Sequence, residues 1–288
     1  KLISPRPKQK FGCDKIIDRI PEFLEHENDP DYYTNKIVEE LKKHNVNDTQ
    51  ILKRVEERKR YKNNQNVYSL LLQYAAGFGK SNIIGWTALQ LKDLRDKNGK
   101  YVYDKVLLVV DRLQLRDQID TMLHNMNIEK GMFIEATNKK TFSEALTKNE
   151  RIVVVNIQKF TSVKNDMISK EAMEKLSKMR VCFLIDEIHR SNSGTQHEEM
   201  ILLFDELQNV FDDNEKYIQT HTKKNLIIGF TATPSDEALI RFGELKFFKN
   251  TEPAFVPFDS YTMLQAIQDE YILDPLKGLV AVAAKMYF

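Results

Sequence analysis

Cysteine is nearly absent from the sequence, and this absence excludes several classes of protein. Only Cys13 and Cys182 are present among 288 residues. Two cysteines are too few for a disulfide framework or a cysteine-rich zinc site. We therefore expect a protein of the reducing cytoplasm.

Long apolar runs are also missing. The longest runs in the chain fall well short of the ~18 consecutive apolar residues that a transmembrane helix requires. No basic segment followed by an apolar one opens the chain, so we expect neither a membrane partner nor a secretory signal. The chain starts at Lys1 and stops at Phe288 without the look of natural termini, and we expect a fragment.

The sequence has little net charge of either sign. Lys and Arg total 43 and Asp and Glu total 42, which gives a formal charge of +1. This balance excludes a globally basic histone-like protein and an acidic tail, so any nucleic-acid binding must come from local patches. Hydrophobic residues make up 42% of the chain and charged residues 30%, which is typical of a folded domain and argues against disorder.

The first part of the chain has the apolar spacing of helices. Between residues 14 and 66, apolar side chains recur three and four positions apart, and Pro30 and the asparagines from Asn45 to Asn47 divide the segment into two or three helices,. The run Lys53–Lys62 is dense in charges of both signs. This favours a solvated helix face over the alternative of a nucleic-acid contact. We predict that residues 1–66 form a helical N-terminal extension.

From residue 67 onward, short apolar runs alternate with amphipathic stretches. Six runs have the character of strands: Val67–Gln73, Val106–Asp111, Met132–Ala136, Ile152–Asn156, Val181–Asp186 and Leu226–Thr231. Continuous apolar strands separated by helices predict a parallel sheet covered on both faces, which is a doubly wound α/β fold. We assign residues 67–257 to this domain. Phe258–Tyr271 reads as one more helix, inside a link formed by residues 258–288.

A glycine-rich segment follows the first of these strands and precedes a helical run. It reads Gly77-Phe78-Gly79-Lys80-Ser81. Phosphate binding needs this order, because glycines let backbone N–H groups close around the anion and the new helix presents its positive end. We predict that Lys80 contacts the β and γ phosphates of a nucleotide and that the Ser81 hydroxyl binds Mg²⁺. The strict P-loop pattern has glycine where this chain has Tyr74, so an ordinary turn is the alternative.

Two adjacent carboxylates follow the strand Val181–Asp186. The segment reads Leu184-Ile185-Asp186-Glu187-Ile188-His189. Carboxylates at the carboxyl end of a strand lie at the ligand edge of an open α/β sheet. We predict that Asp186 holds Mg²⁺ and that Glu187 orients and deprotonates the attacking water. A solvated acidic loop that caps the next helix is the alternative, but the combination with the glycine-rich segment favours a nucleoside triphosphatase.

Two threonines end the last apolar run, in the segment Phe230-Thr231-Ala232-Thr233-Pro234. Hydroxyl groups at a strand end can couple the nucleotide edge of a sheet to an edge that binds a polynucleotide. Taken alone, Thr231 and Thr233 are a weak signal. Their position after the other two segments strengthens the prediction that they have a coupling role.

In this order, the three segments resemble motifs I, II and III of superfamily 2 helicases. Longer stretches are similar to the motor (R) subunit of type I restriction enzymes, with Asn156 in place of the family's usual threonine. The stretches that carry the resemblance are Gln73–Trp86, Leu108–Gln118, Asn156–Phe160, Asp186–Gly194 and Tyr261–Asp274. They agree in order and spacing from about residue 67 to residue 277. The resemblance implies a RecA-like motor lobe and a second lobe beyond this chain.

The resemblance also implies a function. In that family, ATP and Mg²⁺ drive the motor, which pulls duplex DNA past a complex of methylation and specificity subunits, and a separate nuclease domain cuts the DNA. By position, Arg112, Gln158 and Lys159 are expected to contact the DNA backbone. His189 is expected to link hydrolysis to DNA. Gln9 lies in a segment that is similar to an adenine-reading motif, although it stands unusually far upstream of motif I.

Two alternatives stay open on the sequence alone. One is a stand-alone superfamily 2 DNA or RNA helicase, for which the Asp-Glu-x-His segment is equally suitable. The other is an ATP-binding scaffold lobe without turnover, and the intact Lys80, Asp186, Glu187 and His189 count against it.

A restriction-nuclease pattern also occurs near the N-terminus. Pro30-Asp31 followed by Glu40-Leu41-Lys42 matches Pro-Asp…Glu-x-Lys. Nuclease chemistry needs both carboxylates on adjacent strands to hold one Mg²⁺. Instead, Ile37, Val38 and Leu41 recur at helical spacing,. We expect a helix here and no DNA cleavage by this chain.

Overall fold

The computed structural model describes residues 4–29, 31–61, 67–110, 133–136, 139–156, 179–188, 210–211, 217–218, 225–248, 251–271 and 273. The helices in these ranges are α1 (Pro7–Glu25), α2 (Tyr32–Lys43), α3 (Asp48–Tyr61), α4 (Lys80–Asp93), α5 (Lys139–Thr147), α6 (Asp236–Phe242) and α7 (Met263–Gln268). The strands are β1 (Val67–Tyr74), β2 (Lys105–Val110), β3 (Phe133–Ala136), β4 (Ile152–Asn156), β5 (Val181–Asp186), β6 (Val210–Phe211), β7 (Tyr217–Ile218), β8 (Asn225–Thr231), β9 (Glu244–Lys246), β10 (Ala254–Val256) and β11 (Asp259–Tyr261). Among the described helices, none combines the length and apolar character that a membrane span needs.

Seven strands of the described part of the chain form one sheet, in the order β11-β1-β8-β5-β2-β4-β3. Every neighbouring pair in this sheet is parallel. Two short antiparallel pairs, β9 with β10 and β6 with β7, lie outside it. All six apolar runs form strands of this sheet, and the predicted doubly wound α/β fold of the RecA-like kind is confirmed.

Successive side chains of the central strands enter two different cores, because side chains alternate between the faces of a sheet. Leu70 and Leu72 of β1 belong to the core that includes α1 and α4, whereas Leu71 belongs to the core that includes α5 and α6. Leu107 and Leu108 of β2 divide in the same way. Each fully buried leucine contributes about 1.5–3 kcal/mol to the free energy of unfolding. Burial on both faces is the reason why these strands are continuous apolar runs.

The N-terminal segment forms α1, α2 and α3, as the apolar spacing predicts. α1 packs against α4 beneath the sheet edge, where the Cys13 thiol donates to the carbonyl of Ile83 at 3.8 Å and accepts from the Thr87 hydroxyl at 3.5 Å. α2 and α3 instead pack with β9 and β10 through a small apolar cluster centred on Leu41 and Phe255. α1 is therefore part of the sheet's own packing.

The nuclease-like pattern falls on a helix. Glu40 and Lys42 lie within α2, and Asp31 is the residue that precedes its first turn. Leu41 is buried against α3 and the β9–β10 pair. The helix predicted from the spacing of Ile37, Val38 and Leu41 is confirmed.

The segment after residue 257 differs from its prediction. The sequence indicates one helix over Phe258–Tyr271, but the structure begins this segment with strand β11 and confines the helix to α7. β11 pairs with β1 at the sheet edge, and Tyr74 of β1 donates its hydroxyl hydrogen to Asp259 at 2.8 Å. A strand of three residues has no periodicity of its own. Its pairing with β1 is decided by tertiary contacts that the sequence pattern does not show.

α1 approaches β1 most closely at Gly12. A methyl group at this position would lie 2.1 Å from the Tyr74 hydroxyl oxygen and 3.1 Å from Cζ of the same ring. Both distances are too short for any side chain to be accepted without movement. Gly12 is therefore needed for space, inside a helix that otherwise disfavours glycine.

We expect Gly12→Ala to destabilise the protein, although alanine is the better helix former by about 1 kcal/mol. The new methyl group displaces α1 or the Tyr74 ring, and overpacking of this kind costs about 1–3 kcal/mol. Thermal unfolding followed by circular dichroism measures the loss. Tyr74→Phe in the Gly12→Ala background removes the clashing oxygen and should recover part of it. A more stable Gly12→Ala protein would show that α1 does not approach Tyr74 this closely.

Candidate functional site

Three of the predicted segments meet at the carboxyl edge of the sheet. β1, β8 and β5 are neighbours and run parallel. Their register pairs Gln73 with Thr231 and Asp186 with Phe230. The turn after β1, the threonines that end β8 and the acidic residues that end β5 therefore lie side by side. This is the edge at which open α/β sheets bind ligands.

Residues 75–79, here called the glycine loop, connect β1 to α4. Gly77 has φ = 78° and Gly79 has φ = 93°, which is the left-handed region that favours glycine. Lys80 is the first residue of α4. The positive end of that helix therefore lies at the glycine loop, which is the arrangement that binds phosphate.

Tyr74 stands where the strict P-loop pattern has glycine, and it anchors the start of the glycine loop. Its side chain is 1% exposed. The hydroxyl donates to one oxygen of Asp259 at 2.8 Å, and Lys15 of α1 pairs with the other oxygen at 2.6 Å. Burial, together with the negative charge of Asp259, raises the pKa of Tyr74 far above its usual value. This network ties the glycine loop to α1 and to β11.

The side chain of Gln9 reaches the glycine loop from α1. Its amide nitrogen donates to the carbonyl of Phe78 at 2.7 Å, and its amide oxygen accepts from the backbone N–H of Arg6 at 2.8 Å. A methyl group at Gly79 would lie 2.7 Å from Nε2 of Gln9. The packing of α1 on α4 closes the long separation in sequence. Recognition of adenine by Gln9 stays a prediction.

Aromatic residues from the end of the described chain surround Phe78. The Phe78 ring centre is 4.3 Å from that of Tyr261 and 6.3 Å from that of Tyr271. The guanidinium of Arg6 lies 4.6 Å above the Tyr271 ring. Sequence reasoning assigned no site role to Tyr261, Tyr271 or Asp259. The sequence pattern does not show that these residues lie near the glycine loop. Their position there depends on the pairing of β11 with β1.

The acidic pair lies at the end of β5. Asp186 is 2% exposed. Glu187 follows it with φ = 52°, a left-handed conformation that is uncommon for a residue with a side chain. Such conformations cost about 1–3 kcal/mol and occur preferentially at functional sites. The Ile188 side chain, 1% exposed, holds the turn against the sheet.

The two predicted nucleotide segments are in direct contact. Nζ of Lys80 and Oε1 of Glu187 form an ion pair, and both side chains are partly buried. The pair joins the first residue of α4 to the residue after β5, across the intervening strand β8. A phosphate bound at the glycine loop would compete with Glu187 for the Lys80 ammonium group.

The threonines are tied to the same edge. Thr231 is fully buried, and its hydroxyl oxygen accepts from the backbone N–H of Thr233 at 3.2 Å. Nε2 of Gln73, at the end of β1, donates to the carbonyl of Ala232 at 3.4 Å. The turn after β8 is therefore fastened to the strand that leads into the glycine loop.

Arg112, Gln158, Lys159 and His189 lie outside the described residues, so their predicted roles stay predictions. In the described part of the chain, no group of three or more His, Cys, Asp or Glu side chains is placed to hold a metal ion. Mg²⁺ at nucleotide sites takes one or two carboxylates together with phosphate oxygens. Asp186, with a carboxylate at the ligand edge, has the oxygen donor that this ion prefers.

Parallel strands that bring a glycine turn, a helix-starting lysine and a strand-end carboxylate together are typical of P-loop nucleoside triphosphatases. The sequence narrows this class of nucleoside triphosphatases to one family. The model of the SWI2/SNF2 ATPase family matches residues 48–278. The chain belongs to the SWI2/SNF2 ATPase family.

Solved structures similar to the chain are of low identity. The Hef helicase domain from Pyrococcus furiosus is 15% identical, with a TM-score of 0.41, over 69% of this chain and 36% of that one. The UvsW helicase from bacteriophage T4 is 14% identical, with a TM-score of 0.37, over 61% and 53%. A nuclease-deletion mutant of the Type ISP restriction-modification enzyme LlaGI, in complex with a DNA substrate mimic, is 17% identical, with a TM-score of 0.35, over 80% and 21%.

The chain thus spans about a fifth to a half of the length of these three proteins. No curated protein sequence matches it.

Gly229 of β8 makes room for the turn that carries Glu187. A methyl group at Gly229 would lie 2.5 Å from Cδ1 and 2.8 Å from Cγ2 of Ile188. Because Ile188 is β-branched and buried, its side chain has few other rotamers to adopt. The position of Glu187 relative to Lys80 therefore depends on the absence of a side chain at Gly229.

We expect Gly229→Ala to destabilise the protein by about 1–3 kcal/mol through overpacking. It should also weaken ATP binding, because the displaced Ile188 moves the adjacent acidic residues. Chemical denaturation and binding calorimetry measure the two effects. Ile188→Ala in the same background removes both clashing carbons and should restore part of the ATP affinity. Wild-type stability of Gly229→Ala would contradict the packing of Ile188 on β8.

Proposed function

We propose that the chain is the ATP-binding motor lobe of the R subunit of a type I restriction enzyme. In this proposal, ATP hydrolysis drives translocation of duplex DNA before a nuclease domain outside this chain cuts it. The observation that carries the ATPase chemistry is the ion pair of Lys80 with Glu187, because it supports a proposal in which Lys80 binds phosphate and the adjacent Glu187 acts as the general base. The assignment to a restriction enzyme is supported by the ordered motor-like stretches of the sequence.

The proposed chemistry begins with an exchange of partners at Lys80. The γ phosphate of ATP binds the Lys80 ammonium group in place of Glu187, and the Glu187 carboxylate is released. Glu187 then accepts a proton from the water that attacks the γ phosphate. Lys80 and the N–H groups of the glycine loop stabilise the charge that develops on the phosphate oxygens. Mg²⁺, when bound through Asp186 and Ser81, supplies further neutralisation of phosphate charge.

Gln9 is proposed to read the adenine ring. Its amide is fixed at both ends, by the Phe78 carbonyl and the Arg6 backbone N–H. A fixed amide beside a nucleotide loop is suited to a base edge, because it offers both a donor and an acceptor. In this arrangement, adenine bound by Gln9 would be linked to the backbone of Phe78 through the Gln9 hydrogen bond.

The proposed coupling to DNA passes through the turn after β8. Gln73 of β1 donates to the carbonyl of Ala232, which lies between Thr231 and Thr233, so a movement of β1 at the glycine loop would be passed to this turn. The residues proposed to contact DNA or to link it to hydrolysis are Arg112, Gln158, Lys159 and His189. The proposed partners are duplex DNA and the methylation and specificity subunits of a cytoplasmic restriction–modification complex.

Lys80→Ala is expected to abolish stabilisation of the fold by Mg-ATP, because the cation that attracts the phosphates is removed. In the wild type, a ligand at 100 times its Kd adds about 2.7 kcal/mol to the free energy of unfolding. Thermal shift with and without Mg-ATP measures this increment. Lys92→Ala, at the other end of α4, removes the same charge and should keep the shift. Equal thermal shifts in Lys80→Ala and the wild type would show that the nucleotide does not bind at the glycine loop.

Glu187→Gln is expected to retain ATP affinity and to lose turnover by about 10²–10⁴-fold, because glutamine accepts a hydrogen bond but not a proton. Phosphate release by the full-length protein measures turnover. Glu57→Gln is the control, since Glu57 also pairs with a cation but lies in α3. Loss of ATP binding in Glu187→Gln would make Glu187 a structural or metal-binding residue.

The choice of DNA cofactor in the same assay separates the motor classes. A restriction translocase should be stimulated by duplex DNA far more than by single strands. Stimulation mainly by single-stranded DNA or by RNA would favour a stand-alone helicase. Binding of ATP without any stimulated turnover would favour a scaffold lobe.

A further inference from the structure

A cavity lies at the amino end of β1, away from the glycine loop. Residues of α1, α2 and α3 line it together with residues of β1, β9 and β10. Its volume is about 400 Å³, which lies within the range of about 300–1,000 Å³ found for small-molecule sites. The residues that line it along β1 are Tyr68, Ser69 and Leu70. No residue of the glycine loop or of the acidic pair contributes to it.

The walls of this cavity are aromatic. Phe23 and Tyr68 stack with their ring centres 4.5 Å apart, and Tyr33 meets both rings edge-on at 5.6 Å and 5.3 Å. Phe255 of β10 also lines the cavity. Such surfaces accept a flat apolar body, because aromatic rings pack favourably face to edge or offset.

The lining also carries an excess of positive charge. Its acidic side chains are Glu40 and Glu244, and its basic side chains are Arg19, Lys36, Arg54, Arg58 and Lys246. Four of these basic residues have carboxylate partners: Arg19 and Lys246 pair with Glu244, Lys36 with Glu22, and Arg54 with Glu57. Arg58 is different.

Nε of Arg58 is buried and has no hydrogen-bond partner among the described residues. The guanidinium lies 5.8 Å from the centre of the Phe255 ring. Burial lowers the pKa of Arg58 to about 10, against the opposing effect of Glu244, so the side chain stays charged at neutral pH. A buried donor atom of a charged group is costly when no acceptor satisfies it.

A second buried donor lies on the same cavity. The hydroxyl oxygen of Tyr33 has no hydrogen-bond partner within the described ranges. Burial raises the pKa of Tyr33 far above its usual value, so the hydroxyl keeps its proton. Arg58 offers only donors and Tyr33 offers one. The polar atoms that this cavity leaves unused are therefore those that an anionic oxygen of a ligand would satisfy.

We propose that this cavity binds a small aromatic anion, with its ring between the aromatic walls and its carboxylate or phosphate on Arg58 and Tyr33. This site is separate from the nucleotide site and does not depend on the proposed motor function. The planar guanidinium fork suits both oxyanions, because it donates two parallel hydrogen bonds to either group. The ring supplies the apolar contact that a bare phosphate or sulfate lacks.

The test uses 1-naphthyl phosphate and 1-naphthoate as probes, with uncharged 1-naphthol as the control ligand. Isothermal titration is done with saturating Mg-ATP, so that the glycine loop is already occupied. We expect at least one anionic probe to bind with a stoichiometry of one, and 1-naphthol to bind on the order of tenfold more weakly or not at all. The stronger of the two probes identifies the anion that the site prefers.

Three variants locate the site. Arg58→Met should weaken the bound probe on the order of tenfold or more, and Tyr33→Phe should weaken it several-fold. Lys53→Met removes a charge from the exposed face of the same helix and should leave the affinity unchanged. Lys80→Ala, titrated without nucleotide, should also leave it unchanged.

The stability of Arg58→Met without probe distinguishes a ligand-binding role of Arg58 from a purely structural one. If Arg58 serves a ligand, Arg58→Met should be at least as stable as the wild type without probe, because a buried donor without an acceptor is replaced by an apolar chain. If Arg58→Met prevents folding, Tyr33→Phe decides the matter in the same titration. Failure of both anions to bind the wild type, or equal affinity in Arg58→Met and Lys53→Met, would overturn the proposal.

Discussion

The ion pair between Lys80 and Glu187 is the contact on which the rest of the site depends. It exists only because β1, β8 and β5 are adjacent and parallel, which brings two distant segments to one edge. Several local features serve it. Glu187 adopts a left-handed conformation, Gly229 leaves space for the next side chain, and α4 starts at Lys80 itself. In this structure the Lys80 ammonium group is therefore already paired with a carboxylate.

The sequence was informative wherever one residue type repeats under a single physical constraint. Strands buried on both faces must be apolar throughout, so the runs at β2, β4 and β5 were recognisable with their bounds almost correct. The glycine loop was recognisable because its backbone geometry requires glycine at fixed positions, and two of them have positive φ. Only a resemblance to an adenine-reading motif predicts that Gln9 takes part in this site. What closes the long gap between Gln9 and the glycine loop is the packing of Cys13 on α4, which no motif encodes.

The parts that were missed are those decided by contacts alone. β11 has three residues, too few for a period, and its pairing depends on Tyr74 and Asp259. The charge pattern of Lys53–Lys62 predicts a solvated face, yet Arg54 and Arg58 line a cavity. A pattern of charges shows which residues share a helix face. It does not show which face another element will cover, and here α2 and the β9–β10 pair cover part of it.

The hydrogen bond from Tyr74 to Asp259 has a mechanical consequence. β11 lies at the edge of the sheet, is held on one side only, and is followed directly by α7. A force that pulls β11 away from the sheet would therefore act against its pairing with β1 alone. Because Asp259 is bonded both to Tyr74, at the start of the glycine loop, and to Lys15 of α1, the load is divided between that loop and the helix beneath it. The start of the glycine loop and α1 are thus both coupled to the position of β11.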